Sequence, residues 1–463
     1  MSAPPMTTGT MTRRLLPWLL PLAYCLLFAA NAAMMGAAGI WSATRVAIFA
    51  GAAASALAVI AALARFLPRA WNARLSLLAS TFLILALLLE VGSGWWLDRL
   101  DPHRAAQHHA LAEGRPFDDR TVRQVVADLR LNGQQAYPSL ARHLLLTPQF
   151  ALPGPEPLAL ALGNPARTLL VYENELGFYP IQESDEFGFT NPLGLQRPGK
   201  VDLLFLGDSF TQGWCVNQED SFAGLLRREW PGTVNLAMAG NGPLSNLATW
   251  REYGARLNPR LVLWCHCETN DLEDLSKEAG SGLARYRQPA FRQNLIECQP
   301  SIDKTLKQSL NDELARPESP QSITFDLLLL RKLRRCATLT HAALTAKREL
   351  GDLGLYGDVL KQARSEVEAT GGKLLFIYLP DAGHFSQPDR YLAERAAVLE
   401  MAQKNSVAIL DLAAEFAKAD DPLAGYSFRA RGHFNLLGNQ RAAQAIGANV
   451  RELLTAAKEN LAR

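Results

Sequence analysis

Leu204-Phe205-Leu206-Gly207-Asp208-Ser209-Phe210-Thr211 carries an apolar run straight into a glycine and two small polar residues. A buried strand ending in a tight turn fits this pattern, and a helix follows at Ser221 to Glu229. In an open parallel sheet, reactive groups collect where strands end, so a serine there is presented to a crevice. Gly-Asp-Ser alone is also an ordinary turn, because these residue types dominate turns. The rest of the chain has to decide between the two.

Outward from this stretch, short β-branched or Leu-rich runs alternate with helical ones. Strands are predicted at Val201–Leu206, Thr233–Leu236, Leu261–Cys265, Lys373–Leu379 and Ala408–Leu410. Helices are predicted at Leu244–Arg256, Tyr356–Thr370, Tyr391–Lys404 and Leu436–Leu454. Such alternation implies a parallel sheet covered on both faces, a three-layer α/β/α domain of flavodoxin-like type over 201–463. About 272–353 interrupts it as a mostly helical insertion, with a Pro-Glu-Ser-Pro break at Pro317 to Pro320.

Small polar blocks follow successive strands. Asn235-Leu236-Ala237-Met238-Ala239-Gly240-Asn241-Gly242-Pro243 follows the second, and Glu268-Thr269-Asn270-Asp271 the third. Gly432-His433-Phe434-Asn435 precedes the last long helix. Serine, glycine, asparagine and histidine thus occur in one order over Val201 to Val450. This order resembles the four blocks of the SGNH (GDSL-type) hydrolase superfamily. Phe210-Thr211-Gln212-Gly213 and Gly240-Asn241-Gly242-Pro243-Leu244 also resemble phrases of membrane-linked members associated with surface polysaccharides.

The resemblance implies Ser209 as nucleophile and His433 as its general base. It implies an oxyanion hole from the backbone N–H groups of Ser209 and Gly240 and the side-chain amide of Asn270. Each role is chemically apt. Serine needs a base to take its proton, glycine allows close backbone approach, and a neutral amide donates without titrating. Asp208 is expected to brace the turn. The superfamily usually places an aspartate two or three residues before the histidine, where this chain has Arg431 and Ala430. A Ser-His dyad steadied by a backbone carbonyl would fill the gap, or an acid from elsewhere, such as Asp411 or Asp421.

Other candidates have structural alternatives. His384 follows the fourth strand and is the rival base. Glu268 stands where a glycine is common and is either a pocket residue or a structural carboxylate. Cys265-His266-Cys267 suggests a metal, but side chains alternate faces along a strand and cannot all reach one ion. No metal or nucleotide cofactor is expected. Six cysteines in 463 residues do not make a disulfide framework. Cys215 with Cys265 or Cys267, and Cys298 with Cys336, are permitted pairings that the sequence does not require. The basic run Arg331-Lys332-Leu333-Arg334-Arg335 fits a membrane surface, an anionic polymer or a solvated helix face.

The first 97 residues differ in kind. Leu15–Ile40, Val46–Ala64 and Leu75–Leu97 are apolar and near or above the ~20 residues that cross a bilayer core. Trp95-Trp96 suits an interfacial aromatic belt, and Glu90 an interfacial or helix-contact position. Arg13, Arg14, Arg65, Arg69 and Arg74 favour a cytoplasmic N-terminus and second connection, against one arginine in Trp41 to Arg45. Three crossings then put everything after Asp98 outside the cytoplasm, periplasmic and anchored in the inner membrane. A cleaved signal peptide at Met11 to Ala33 would leave the same result. Residues 98–200 read as a stalk or small subdomain. They contain a Pro153-to-Pro157 connector and two turn-rich phrases, Asn174-Glu175-Leu176-Gly177 and Ser184 to Pro192, suited to the main domain's edge.

A net charge of +2, without a basic stripe, argues against nucleic acid. The expected function is a membrane-anchored serine O-acyl or O-acetyl esterase acting on an extracytoplasmic carbohydrate through an acyl-enzyme. Alternatives are an O-acetyltransferase of an exported polysaccharide, with a multi-span acyltransferase as partner, and a non-catalytic carbohydrate-binding or assembly protein that retains the fold.

Overall fold

The computed structural model describes residues 14–37, 43–98, 101–152, 160–316, 330–345, 351–427, 429 and 432–461. Arg13, Trp41, the Pro153-to-Pro157 connector, the Pro317-to-Pro320 break, Ala430 and Arg431 lie outside them. The chain divides into two compact units, 1–104 with 317–348, and 105–316 with 349–463.

In the first unit, helices Leu19–Ala37, Ala43–Phe66 and Arg69–Asp98 include stretches long and apolar enough to cross a membrane. A helix satisfies its backbone internally, which lipid demands. Polar groups gather at one end of the unit. Arg14 donates to the carbonyls of Ala64, Arg65 and Leu67, at and just beyond the C-terminal end of the second helix. Trp18 Nε1 donates to Asn72 Oδ1 at 2.8 Å, and Asn72 Nδ2 to the Arg14 carbonyl at 2.8 Å. Helix Arg331–Thr345, from the insertion, belongs to this unit. Glu90 accepts the backbone N–H groups of Lys332 (2.9 Å) and Leu333 (2.7 Å). A carboxylate there satisfies two otherwise unpaired donors and complements the helix dipole.

The second unit is built on five parallel strands: β1 (Leu203–Leu206), β2 (Thr233–Asn235), β3 (Leu261–Cys267), β4 (Lys373–Leu379) and β5 (Ala408–Asp411). Their order is β2-β1-β3-β4-β5. Alternate side chains enter separate cores. Leu204, Leu206, Val262, Trp264, Phe376 and Tyr378 face helices Pro243–Thr249, Leu353–Ala369 and Leu392–Lys404. Leu203, Phe205, Leu263, Cys265, Ile377 and Leu379 face Phe222–Arg227 and Leu436–Leu461. The expected three-layer α/β/α fold is therefore present, with both faces of the sheet buried as the near-continuous apolar runs require.

Residues 105–200 share this second unit. They form helix Val122–Leu131 and a small sheet in which 169–171 lies between 136–138 (parallel) and 181–183 (antiparallel). Asn191 then clasps edge strand β2. It accepts from Asn235 N at 2.8 Å and donates to the Asn235 carbonyl at 2.8 Å. Asp185 holds the preceding turn by accepting from Phe187 N, Phe189 N, Asn191 and Gln196.

Candidate active site

Ser209 begins a four-residue helix directly after β1. Gly207 permits the turn, because a Cβ there would stand 2.2 Å from Thr211 Oγ1. Asp208 caps the helix, its Oδ1 accepting from Phe210 N at 3.0 Å. Burial raises the Asp208 carboxyl above its ordinary range.

His433 Nε2 lies 2.8 Å from Ser209 Oγ. On the other side of the ring, Nδ1 lies 2.7 Å from Glu175 Oε1, and His433 N donates to Glu175 Oε2 at 3.0 Å. An ionised carboxylate only accepts, so Nδ1 carries the proton and Nε2 is left to accept from the serine hydroxyl. The imidazole packs against Phe210, centroids 4.8 Å apart, and near Trp214 at 6.3 Å. Burial alone would lower the His433 pKa, but the charge and hydrogen bond of Glu175 raise it. Burial opposes ionisation of Glu175, and the charge and hydrogen bonds of His433 bring its pKa below the ordinary value.

Glu175 was not singled out as a functional residue in the sequence, where the candidate acids were Asp411 and Asp421. Those carboxylates pair with Arg395 and Arg429 instead. Glu175 lies 258 positions before His433, on the turn that Asn174 organises by accepting from Gly177 N at 2.7 Å. Gly177 has φ +98° and abuts the Pro116 carbonyl, where a Cβ would come within 2.5 Å. The one local signal was an acidic residue inside the Asn-x-x-Gly turn.

Gly240 has φ +73°, a left-handed conformation that favours glycine. The loop around it is fastened below. Arg142 N donates to the Ala239 carbonyl at 2.7 Å, and the buried Arg142 guanidinium donates to Asn241 Oδ1 at 2.9 Å. Glu278 accepts Gly242 N and Leu244 N at 2.7 and 2.9 Å. Burial pushes the Glu278 pKa up to about 7 and the Arg142 pKa down to about 10. Among the described residues, neither Ser209 N nor Gly240 N donates to a protein acceptor. Asn270 Nδ2 donates to Asp274 Oδ2 at 2.7 Å, and its second amide hydrogen remains for another acceptor.

Ser209, Gly240 and His433 line a cavity of about 590 Å³, within the ~300–1,000 Å³ usual for small-molecule sites. Its other walls come from helix Val122–Leu131, residues 138–144, Val171, Glu173 and helix Gln299–Ala315.

His384 stands apart from this arrangement. Its Nδ1 lies 2.7 Å from Glu268 Oε1, which also accepts from Tyr378 OH at 2.6 Å, while Glu268 Oε2 accepts from Asp381 N at 2.9 Å. His266 is buried, with Nδ1 3.2 Å from both Tyr356 OH and Asp271 Oδ2. Burial lowers its pKa to about 3, so the ring is neutral at pH 7, and burial raises that of Asp271 above the ordinary carboxylate range. No group of residues suited to a metal occurs among the described residues. All six cysteines are free thiols.

The sequence model of the GDSL-like lipase/acylhydrolase family matches residues 205–441. No curated protein matches the chain. Among solved structures, TesA is 12% identical with a TM-score of 0.32, the match covering 54% of this chain and 99% of TesA. Axe2, an acetylxylan esterase from Geobacillus stearothermophilus, is 14% identical with a TM-score of 0.31, covering 55% and 95%. The esterase EstA from Pseudoalteromonas sp. is 9% identical with a TM-score of 0.29, covering 55% and 98%.

Proposed function

The chain belongs to the GDSL-like lipase/acylhydrolase family and is a hydrolase of ester bonds, and from that premise we propose a membrane-anchored serine O-acyl esterase whose substrate is an acylated carbohydrate outside the cytoplasm. The observation that carries the proposal is the continuous chain from Ser209 Oγ through His433 to Glu175.

In the first half-reaction, Ser209 Oγ attacks the ester carbonyl while its proton passes to His433 Nε2. Glu175 holds the ring by Nδ1 and stabilises the imidazolium that forms. The N–H groups of Ser209 and Gly240, with the free amide hydrogen of Asn270, receive the negative charge on the carbonyl oxygen. Collapse of the intermediate breaks the bond to the alcohol, which takes the proton from His433 and departs. Water then repeats the sequence against the acyl-enzyme, releasing the acid and restoring Ser209. Asp208 shapes the nucleophile turn and moves no proton.

The three apolar helices serve as the anchor. The contact of Arg14 with the carbonyls of Ala64, Arg65 and Leu67 gathers basic residues at one end of that unit. The positive-inside rule assigns that end to the cytoplasm, and an odd number of crossings exports the parallel-sheet unit. The carbohydrate assignment rests on the two polysaccharide-associated phrases at Phe210–Gly213 and Gly240–Leu244. Acid quenching of the full-length protein during turnover of an activated ester, followed by peptide mass spectrometry, tests the mechanism. An acyl group on the Ser209 peptide, absent in Ser209→Ala, is the expected result. Turnover that survives Ser209→Ala refutes it.

A further inference from the structure

We infer that the site takes a linear acyl chain of about eight carbons rather than acetyl, in a groove largely built by residues that precede the family-matched stretch; this rests on the Ser209 reading above. An acetyl group would occupy a small part of a cavity of about 590 Å³. The walls beyond the reacting groups are largely aliphatic. Val122, Leu140, Leu144 and Val171 come from ahead of residue 205, and Leu310 and Leu314 come from one face of helix Gln299–Ala315. Leu310 and Leu314 are one helical turn apart and present a continuous apolar strip.

Such a lining suits methylene groups and leaves sugar hydroxyls few partners beyond Arg123, Ser139, His143 and the two glutamates Glu173 and Glu313. Two of the charged lining residues, Glu173 and Glu313, are exposed, so the carbohydrate end of the substrate stays at the mouth. The groove is also held in shape. Arg123 donates to the carbonyls of Leu314, Glu313 and Arg316 at the C-terminal end of helix Gln299–Ala315. A cation there also complements the negative end of the helix dipole. Ser309 Oγ adds a bond to the Gln149 carbonyl at 2.8 Å. Leu310 and Leu314 are therefore fixed opposite residues 138–144, and chain length becomes a property of this wall.

The test compares p-nitrophenyl acetate with p-nitrophenyl octanoate on the full-length protein in lipid nanodiscs, beside Leu144→Trp and Leu314→Trp. Native protein is expected to favour octanoate in kcat/KM by about tenfold or more, as several buried methylenes warrant. Either variant is expected to lower the octanoate-to-acetate ratio of kcat/KM about tenfold, with circular dichroism as the check on folding. A preference for acetate, or a parallel fall of both substrates, overturns the inference. Ethyl fluorophosphonate labelling separates the two levels. Labelled Ser209 without octanoate preference sinks the acyl groove alone, whereas unlabelled Ser209 sinks the catalytic reading and the groove with it.

Discussion

Two of the carboxylate–imidazole pairs among the described residues have nearly the same first contact. Glu175 lies 2.7 Å from His433 Nδ1, and Glu268 lies 2.7 Å from His384 Nδ1. They differ in what else the groups touch. His433 presents Nε2 to Ser209 at 2.8 Å and lines the cavity. Glu268 is shared with Tyr378 and the backbone of Asp381, so that pair closes a corner after β3 and β4. An acid beside a histidine thus does not define a catalytic base. The group at the far nitrogen, and access to it, decide.

The largest expected effect comes from His433→Ala, which removes the base from Ser209. The kcat for an activated ester is expected to fall by about 10⁴-fold or more, measured with Ser209→Ala as the floor. Equal turnover by His433→Ala and native protein would erase the distinction between the two pairs.

Glu175→Gln keeps the size of the side chain but removes its charge. A drop in kcat of about 10²–10⁴-fold is expected, since the tautomer and the imidazolium both lose support. Its pH profile is a sharper readout. Base catalysis needs neutral His433, and Glu175 raises the His433 pKa, so native activity rises as pH increases through a value above 6.5. Without the Glu175 charge, burial lowers that pKa, and the acid limb of the profile must move to lower pH. A limb that stays in place would separate Glu175 from the titrating group.

Gly240→Ala probes the oxyanion side. A side chain at φ +73° is strained, and its Cβ would meet Arg142 at 3.5 Å. Displacing one donor is expected to lower kcat by about 10²-fold with a smaller change in KM. The smallest catalytic effect belongs to His384→Asn, expected to leave kcat within about threefold. Its cost should appear in stability, by about 1–3 kcal/mol in a denaturant titration, because it removes one partner of a buried carboxylate. Loss of activity by folded His384→Asn would make the second pair part of the site.

These pairs also mark what was legible in the sequence. The five strands of the large sheet were visible because buried parallel strands write unbroken apolar runs such as Leu203–Leu206 and Lys373–Leu379. Ser209 and His433 were visible because each follows a predicted strand or opens a predicted helix, in a recognisable order. Glu175 left no comparable signal. Its partner is remote, its own turn is irregular, and the three-residue strands around it are too short to show a period. Helix Arg331–Thr345 was legible as helical and basic, but its capping by Glu90 depends on a contact across a long insertion. Local pattern fixes strands and helices, while partners brought together by loop closure leave no spacing to read.

The most direct test of the account is the rate of fluorophosphonate labelling at Ser209 in full-length native protein, Glu175→Gln and His384→Asn. Native protein and His384→Asn are expected to label at comparable rates, with Glu175→Gln slower by about 10²-fold or more. If Glu175→Gln labels as fast as native protein, or folded His384→Asn fails to label, Glu175–His433 is not what activates the serine.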